Sequence, residues 1–408
     1  MVKENRLDCN MMAKKHRLLY IVGDLPWPLD SGPRIRQYHI LKGLAAVAKV
    51  TLLALPRVVR PIPRELEDIC DAVQVCMRPA STVGKSRLGK VRQLFGELRG
   101  LPADLSLPAC PIDIQCLFGC DEEDFDCIWI ERINVAMLAR NLRGVSRFLD
   151  LDDIEHRKRG RSGNMSGGWL RRTRRAIEAR AWRIAEFEAI SEFQGVSVCS
   201  EEDRGFLGRS NVIVIPNGAA VDGGVEFTPG VDGRMIFVGS LSYEPNDDAL
   251  CYFIGTVLPR IVMRCPSAHL QVVGRHASMR LRSLAANSRV ELLGFVEDVG
   301  AHLKSAAISV APIRVGGGTR LKILESLAAM KPVVSTSLGA EGLGLMDREE
   351  IRIADSAESF ADACVDLLSD PVQRFRLAEA GHRVAADRFC WSLVRAKVAA
   401  ILGHLVRG

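Results

Sequence analysis

The sequence predicts an α/β protein of two Rossmann-like domains, and three observations carry that expectation. The chain has 408 residues, more than one hydrophobic core ordinarily organises. Short apolar runs alternate with helical periodicity along both halves, the pattern of parallel strands covered on both faces by crossover helices. Glycines recur directly after those runs, where the chain must turn tightly and a ligand can approach the backbone. Ile215-Pro216-Asn217-Gly218 closes the first half. The Gly- and Asp-rich segment 219–233, with Thr228-Pro229-Gly230, reads as a linker. The division is thus 1–218, the linker 219–233, a second domain 234–390, and a closing helix 391–408.

Bulk properties narrow the function. Hydrophobic content of 48 % and charged content of 25 % are those of a soluble globular protein. A net charge of +6 gives mild affinity for anions and does not call for nucleic acid. Aromatics are few and do not interleave with basic residues, which argues against single-strand nucleic-acid binding. The 12 cysteines include no Cys-x-x-Cys pair, and Cys110, Cys116, Cys120 and Cys127 are irregularly spaced, so reduced thiols rather than a metal site are expected. Met1 to Arg17 lacks the apolar core of a signal peptide. No uncharged apolar run is long enough to cross a bilayer. A cytoplasmic protein is expected, with the option of lying on the inner face of the membrane.

In the first half, Leu18–Gly23 is a strand ending in glycine. A loop containing Asp24-Leu25-Pro26-Trp27-Pro28 and Ser31-Gly32-Pro33-Arg34-Ile35-Arg36 follows, then a helical pattern from Tyr38 to Ala48. This opens a Rossmann-like unit without the dinucleotide G-x-G-x-x-G pattern, so NAD is not indicated. Strands follow at Val50–Leu55, Ala72–Met77, Cys127–Glu131, Arg147–Leu151, Gly195–Cys199 and Val212–Ile215. After the strand ending near Leu151 come Asp152, Asp153, Glu155 and His156. These carboxylates and the imidazole stand where sites form in open α/β sheets, and they are the acceptor-side candidates; no base is assigned among them. Two basic segments interrupt the pattern. Arg78–Arg99 places Leu88, Val91, Leu94, Phe95 and Leu98 at helical spacing among arginines and lysines. Arg157–Arg183 is richer in arginine, with a loop-like Gly160–Gly168 portion. They read either as solvated helix faces or as contacts with an anionic membrane surface or a lipid-diphosphate acceptor.

The second half restarts with Met235-Ile236-Phe237-Val238-Gly239-Ser240-Leu241, then has strands at His269–Val273, Arg289–Leu293, Ile308–Ile313, Pro332–Ser335 and Ile351–Ala354. Gly274, and Gly294-Phe295-Val296, fall just after strand ends. Helical stretches at Ser356–Leu368, Gln373–Arg388 and Trp391–Leu405 end the chain. Between the strand Ile308–Ile313 and a helix carrying Leu321, Leu324, Leu327 and Ala328 on one face lies Val315-Gly316-Gly317-Gly318-Thr319-Arg320-Leu321-Lys322. Three glycines let the backbone meet a ligand, and the helix start presents N–H groups with the positive end of its dipole, a cradle for a diphosphate. Arg320 and Lys322 add charge. Glu325, about two turns along, is placed to accept hydrogen bonds from sugar hydroxyls.

With the following Ser326-Leu327-Ala328-Ala329-Met330-Lys331-Pro332-Val333-Val334, this stretch resembles the donor-site signature of the GT-B glycosyltransferases of family 4, the group 1 glycosyltransferases. Other segments match in the same order, and Ile215-Pro216-Asn217-Gly218 is also typical of the family; the Gly316–Lys322 form, Gly239-Ser240-Leu241-Ser242-Tyr243-Glu244-Pro245-Asn246 and the N-terminal Ser31-Gly32-x-Arg34-x-Arg36 resemble most the bacterial members that serve exopolysaccharide systems. The resemblance implies two domains facing a cleft, with the last helix crossing back to the first domain. It implies transfer from a nucleotide-diphosphate sugar to a glycan or lipid-linked acceptor, with retained configuration and no metal or other cofactor. Arg320, Lys322 and Glu325 would carry the reaction. Gly32, Arg34, Gly239, Gly316, Gly317, Gly318 and Thr319 would border the donor, with Gly294 and Phe295 at the base; Arg36 would lie in the cleft on the acceptor side.

The sequence departs from the family at two points. The first of the family's paired glutamates falls on Gly317, leaving Glu325 as the second and Glu341 as a substitute for the first. The usual Arg and Lys after the Val-Gly turn are Ser240 and Pro245, so charge for the diphosphate is expected from Arg320, then from Lys322 and Arg314. A GT-B nucleotide-sugar epimerase, and a non-catalytic sugar-nucleotide-binding scaffold of a polysaccharide assembly, are the alternative readings.

Overall fold

The computed structural model describes residues 16–77, 87–102, 112–139, 141–142, 144–162, 169–221, 223–286 and 288–406. The readings of Met1 to Lys15, of Arg78 and Lys85, of Cys110 and of the loop 163–168 fall outside the described residues. The first sheet comprises β1 His16–Val22, β2 Ala48–Ala54, β3 Ala72–Val75, β4 Cys127–Glu131, β5 Ser146–Asp152, β6 Gly195–Val198 and β7 Val212–Val214. The second comprises β8 Arg234–Val238, β9 His269–Val273, β10 Val290–Gly294, β11 Ile308–Ala311, β12 Val333–Ser335 and β13 Arg352–Ile353. Every pairing is parallel, in the orders β3-β2-β1-β4-β5-β6-β7 and β10-β9-β8-β11-β12-β13.

The inner strands β1, β4, β11 and β12 are buried on both faces along most of their length, which is why they read as largely apolar runs rather than alternating ones. In β1, Leu19 and Ile21 face one core with Trp182, Ala185 and Ile190 of the long helix Trp169–Glu192. Leu18, Tyr20 and Val22 face the other, with Ile40, Leu41 and Leu44 of the helix Gly32–Ala45. The chain's last long helix, Trp391–Leu405, joins this second face through Trp391, Val394, Val398 and Leu402, although it follows the second sheet in sequence. Gly43 permits the approach, since a Cβ there would lie 2.9 Å from the Arg395 carbonyl, and the His39 ring stacks on Trp391 at 4.1 Å. The connection between the sheets is packed rather than loose. Lys331, fully buried, donates to the Thr228 carbonyl at 2.7 Å and to its hydroxyl at 2.8 Å.

Strand order reverses direction between β1 and β4 in the first sheet, and between β8 and β11 in the second. At such a switch point the loops leaving neighbouring strands diverge and open a crevice beyond the strands' carboxyl ends. The loops after β1, β4, β8 and β11 therefore bound the candidate site.

One boundary differs in a way that matters there. The helix expected from Tyr38 begins at Gly32. Ser31 is extended (φ −149°, ψ 148°) at the N-cap and Pro33 sits in the first turn, where its fixed φ suits the helix and its missing N–H is no loss. Gly32, Arg34 and Arg36 are thus helical residues, not loop residues.

Candidate active site

The chain leaves β11 and turns through Gly316 (φ +103°) and Gly318 (φ +76°), left-handed conformations that glycine adopts without steric cost. Arg320, extended, forms the N-cap of the helix Leu321–Ala328. The Arg320 guanidinium folds back and donates to the Gly317 carbonyl, so it braces the glycine loop while placing its charge beside it. Tyr243 and Pro245 cover the loop: a Cβ on Gly316 would lie 3.3 Å from Pro245 Cγ and 3.5 Å from the Tyr243 hydroxyl.

Lys322 points toward the end of β8. Its ammonium donates to Asn246 Oδ1 at 2.7 Å, lies 3.8 Å from the Phe237 ring centroid, and would be 2.9 Å from a Cβ on Gly239. Burial, then the charge of Arg320, holds its pKa well below the ordinary lysine value. Glu325 is the fifth residue of this helix, one turn from its start rather than two. Burial raises its pKa against the opposing effect of Lys322. Gly294 (φ +72°) ends β10, and Phe295 after it is 56 % exposed with the Arg275 guanidinium 3.8 Å from its ring centroid. The Gly294 carbonyl accepts from the Gly274 N–H at 2.8 Å, and a Cβ on Gly274 would overlap the Gly239 carbonyl. The ends of β8, β9 and β10 therefore abut, with Gly239 joining them to Lys322.

The carboxyl end of the first sheet faces this loop. Arg132 (φ +64°) and Asp152 (φ +61°) both hold left-handed backbones rare for residues with side chains, and strain of this kind collects at functional sites. Arg132 donates to Asp152 Oδ2 at 2.7 Å and pairs with Glu131 at 2.7 Å. Burial alone would raise the Asp152 pKa, but Arg132 and Arg36 hold it below its ordinary value. Arg36 is 1 % exposed, not a cleft cation: it donates to both Asp150 oxygens, at 2.7 and 3.0 Å, and to Asn217 Oδ1 at 3.1 Å. Asn217 Nδ2 in turn donates to Thr319 Oγ1 at 2.7 Å. The run Asp150–Arg36–Asn217–Thr319 thus ties the first sheet to the glycine loop.

Other candidates part company here. Gly32 does border the loop's helix, since a Cβ on it would lie 3.0 Å from Leu321 Cδ1. Arg34 instead closes its own loop, pairing with Asp24 at 2.7 Å and Asp30 at 2.8 Å. His156 turns inward, its Nδ1 bonded to the fully buried Glu186, which also accepts the N–H groups of Glu155 at 2.7 Å and His156 at 3.2 Å. This fastens the turn after β5 to the long helix and makes His156 an anchor. Asp153 presses on the loop so closely that a Cβ on Gly318 would overlap its Oδ1. Glu341 is held by Arg157 at 2.9 Å, a second bond across the two domains. Arg314 is committed to Asp248 through contacts of 2.8 to 3.1 Å. A cavity of about 140 Å³ beside Asp153 and Arg132 is lined also by Arg57, Arg159, Glu155 and Trp182.

Sequence reasoning had no hold on Arg132 or Lys158 as individuals. Arg132 carries no motif, and Lys158 sits inside a basic run. For Asn217 there was a signal: an Asn-Gly step leaving the last strand of the domain.

The comparisons agree on this framework. Residues 232–370 match the family model described as Glycosyl transferases group 1. A phosphatidyl-myo-inositol mannosyltransferase of Mycobacterium leprae is 30 % identical over 201 residues, 46 % of this chain and 52 % of the relative. The chain thus spans about half the length of the curated relatives it matches. Among solved structures, sucrose-phosphate synthase from Thermosynechococcus elongatus superposes with TM-score 0.69 at 14 % identity, covering 96 % of this chain and 99 % of that one. Anabaena HepE in complex with UDP superposes with TM-score 0.62 at 15 % identity, covering 95 % and 100 %. The fold is GT-B.

Proposed function

We propose that this chain, which carries a group 1 glycosyl transferase domain over residues 232–370 of a GT-B framework, transfers a sugar from a nucleotide-diphosphate sugar to a lipid-linked, phosphate-bearing acceptor. The observation that carries the reading is the Gly316–Thr319 loop, set at the switch point of the second sheet and pressed by Asp153 and Asn217 against the carboxyl end of the first. Loop and helix-start N–H groups with Arg320 would stabilise the diphosphate as it leaves the anomeric carbon, an electrostatic contribution worth more in a closed, dry cleft. Glu325 would accept the ribose hydroxyls, and the Gly294–Phe295 loop would border the base. Retention of configuration belongs to the proposal. So does a place in exopolysaccharide or glycolipid assembly, two systems whose acceptors share lipid-borne phosphate. The arginines around the 140 Å³ cavity fit such a group, and the mycobacterial relatives are named for transfer to a phospholipid, phosphatidyl-myo-inositol.

The test is incubation with UDP-, GDP-, ADP- and dTDP-sugars and either phosphatidylinositol or a polyprenyl diphosphate-linked sugar. One donor should release its nucleoside diphosphate with formation of a glycosylated lipid, and Arg320→Ala should lower kcat/KM by about 10²-fold. No release from any donor with either acceptor would overturn the reading.

The acceptor class brings a membrane with it. Among the described residues no helix is long and apolar enough to cross one. The helix Arg87–Leu98 leaves Leu94, Phe95 and Leu98 exposed, and Arg180 of the neighbouring helix Trp169–Glu192 donates to the Leu98 carbonyl at 3.2 Å. That second helix exposes Trp169, Arg172, Arg174 and Arg183. Apolar side chains set beside guanidinium groups suit an anionic lipid surface. Co-sedimentation with phosphatidylglycerol vesicles should therefore exceed that with phosphatidylcholine and weaken with salt. Arg172→Glu/Arg174→Glu should lower it at least about tenfold.

A further inference from the structure

We propose that Lys158, on the helix Glu155–Ser162 of the first domain, is a second cation that meets the donor diphosphate beside Arg320, completing the donor site from across the cleft. The inference rests on reading the glycine loop as the donor site. The second domain is short of cations for that task. The turn after the end of β8, residues 239–246, holds neither lysine nor arginine. Arg314 is held by Asp248 and lies on the Tyr252 ring, 4.2 Å from its centroid. Lys322 is tied to Asn246 and packed on Phe237. Arg320 remains, and its guanidinium braces the Gly317 carbonyl.

Lys158 stands where the shortage is. A Cβ on Gly317 would lie 3.4 Å from the Lys158 Cβ and 3.7 Å from its Cγ, so the lysine fills the space that a longer side chain at 317 would enter. Its ammonium lies 5.9 Å from the Tyr243 ring centroid, and the Tyr243 hydroxyl covers Gly316. The ammonium is oriented by Asp153 at 3.2 Å and Glu155 at 3.8 Å. Burial would discharge it, but those two carboxylates raise its pKa above the ordinary lysine value, so it is charged at neutral pH. Lys322 is shifted the other way. Gly317 and Lys158 thus fit one another: the bare glycine of the loop leaves room for a cation from the opposite domain. A diphosphate seated between Lys158 and the loop amides would bond to both domains, so donor binding and cleft closure become one event.

The test is calorimetric titration of wild type, Lys158→Met and Lys158→Arg with UDP, GDP, ADP and dTDP, and with uridine, guanosine, adenosine and thymidine. For the diphosphate that wild type binds, Lys158→Met should weaken affinity at least about tenfold, the loss of one charge-assisted contact. Lys158→Arg should restore most of it, and affinity for the matching nucleoside should not change. Wild-type diphosphate affinity in Lys158→Met, or an equal loss for diphosphate and nucleoside, overturns the assignment and leaves the donor site standing. Should Lys158→Met not fold, Lys158→Gln is read by the same two criteria. If wild type binds none of the four diphosphates, the donor-site reading itself fails, and this assignment with it.

Discussion

Gly318→Ala is expected to lower kcat/KM by at least about a hundredfold while leaving each domain folded. Two independent features forbid a side chain there. The backbone is left-handed (φ +76°), which costs roughly 1–2 kcal/mol for a residue with a Cβ. That Cβ would also overlap Asp153 Oδ1 of the opposing domain. The collision is with a carboxylate held by Lys158 at 3.2 Å, so relief requires the loop to withdraw from the first domain. A displacement of about 1 Å in a catalytic cleft is enough to cost about two orders of magnitude. Gly317→Ala is the control. A Cβ there makes ordinary contact with Lys158 at 3.4 Å, and its φ lies outside the left-handed region, so its kcat/KM should stay within a few fold. Equal kinetics for both variants would show that the pressed arrangement of loop and Asp153 is not the one that turns over.

Arg36→Met is expected to destabilise the protein by about 3–5 kcal/mol, measured by equilibrium denaturation. Arg36 and Asp150 are each 1 % exposed. Removing the guanidinium would leave the Asp150 carboxylate buried with, among the described residues, the Ser197 hydroxyl at 2.8 Å as its remaining side-chain donor. The large cost belongs to the uncompensated charge, so Arg36→Met/Asp150→Leu should recover most of the loss. If the double variant is as unstable as the single, the packing of the arginine stem rather than its charge accounts for the effect. Because Arg36 also holds Asn217, which holds Thr319, the single variant should raise KM for the donor as well.

The strands and the glycine loop were legible because their causes are local. Cys127–Glu131 and His269–Val273 read to the residue, since strands buried on both faces are largely apolar. The Gly316–Thr319 loop announced itself by three glycines between an apolar run and an amphipathic helix. Gly32 and Pro33 misled for an equally local reason. Both count as breakers in sequence, yet proline favours the first turn of a helix. What sequence hid was pairing at long range. Arg36 looks like an exposed cation until Asp150, 114 residues away, is placed beside it. His156 looks like a site imidazole until Glu186 takes it, 30 residues on. Lys158 reads as one more charge in a basic run until the fold lays it against Gly317.

The Gly316–Thr319 loop and the helix behind it are expected to receive a nucleoside diphosphate. Thermal unfolding with UDP, GDP, ADP or dTDP in excess tests it directly, because a ligand at about a hundred times its Kd stabilises the folded state by roughly 2.7 kcal/mol. A clear rise in melting temperature is expected with one of the four, reduced in Arg320→Ala and in Gly318→Ala. No rise with any of them at millimolar concentration, or a rise that both variants share in full, would contradict it.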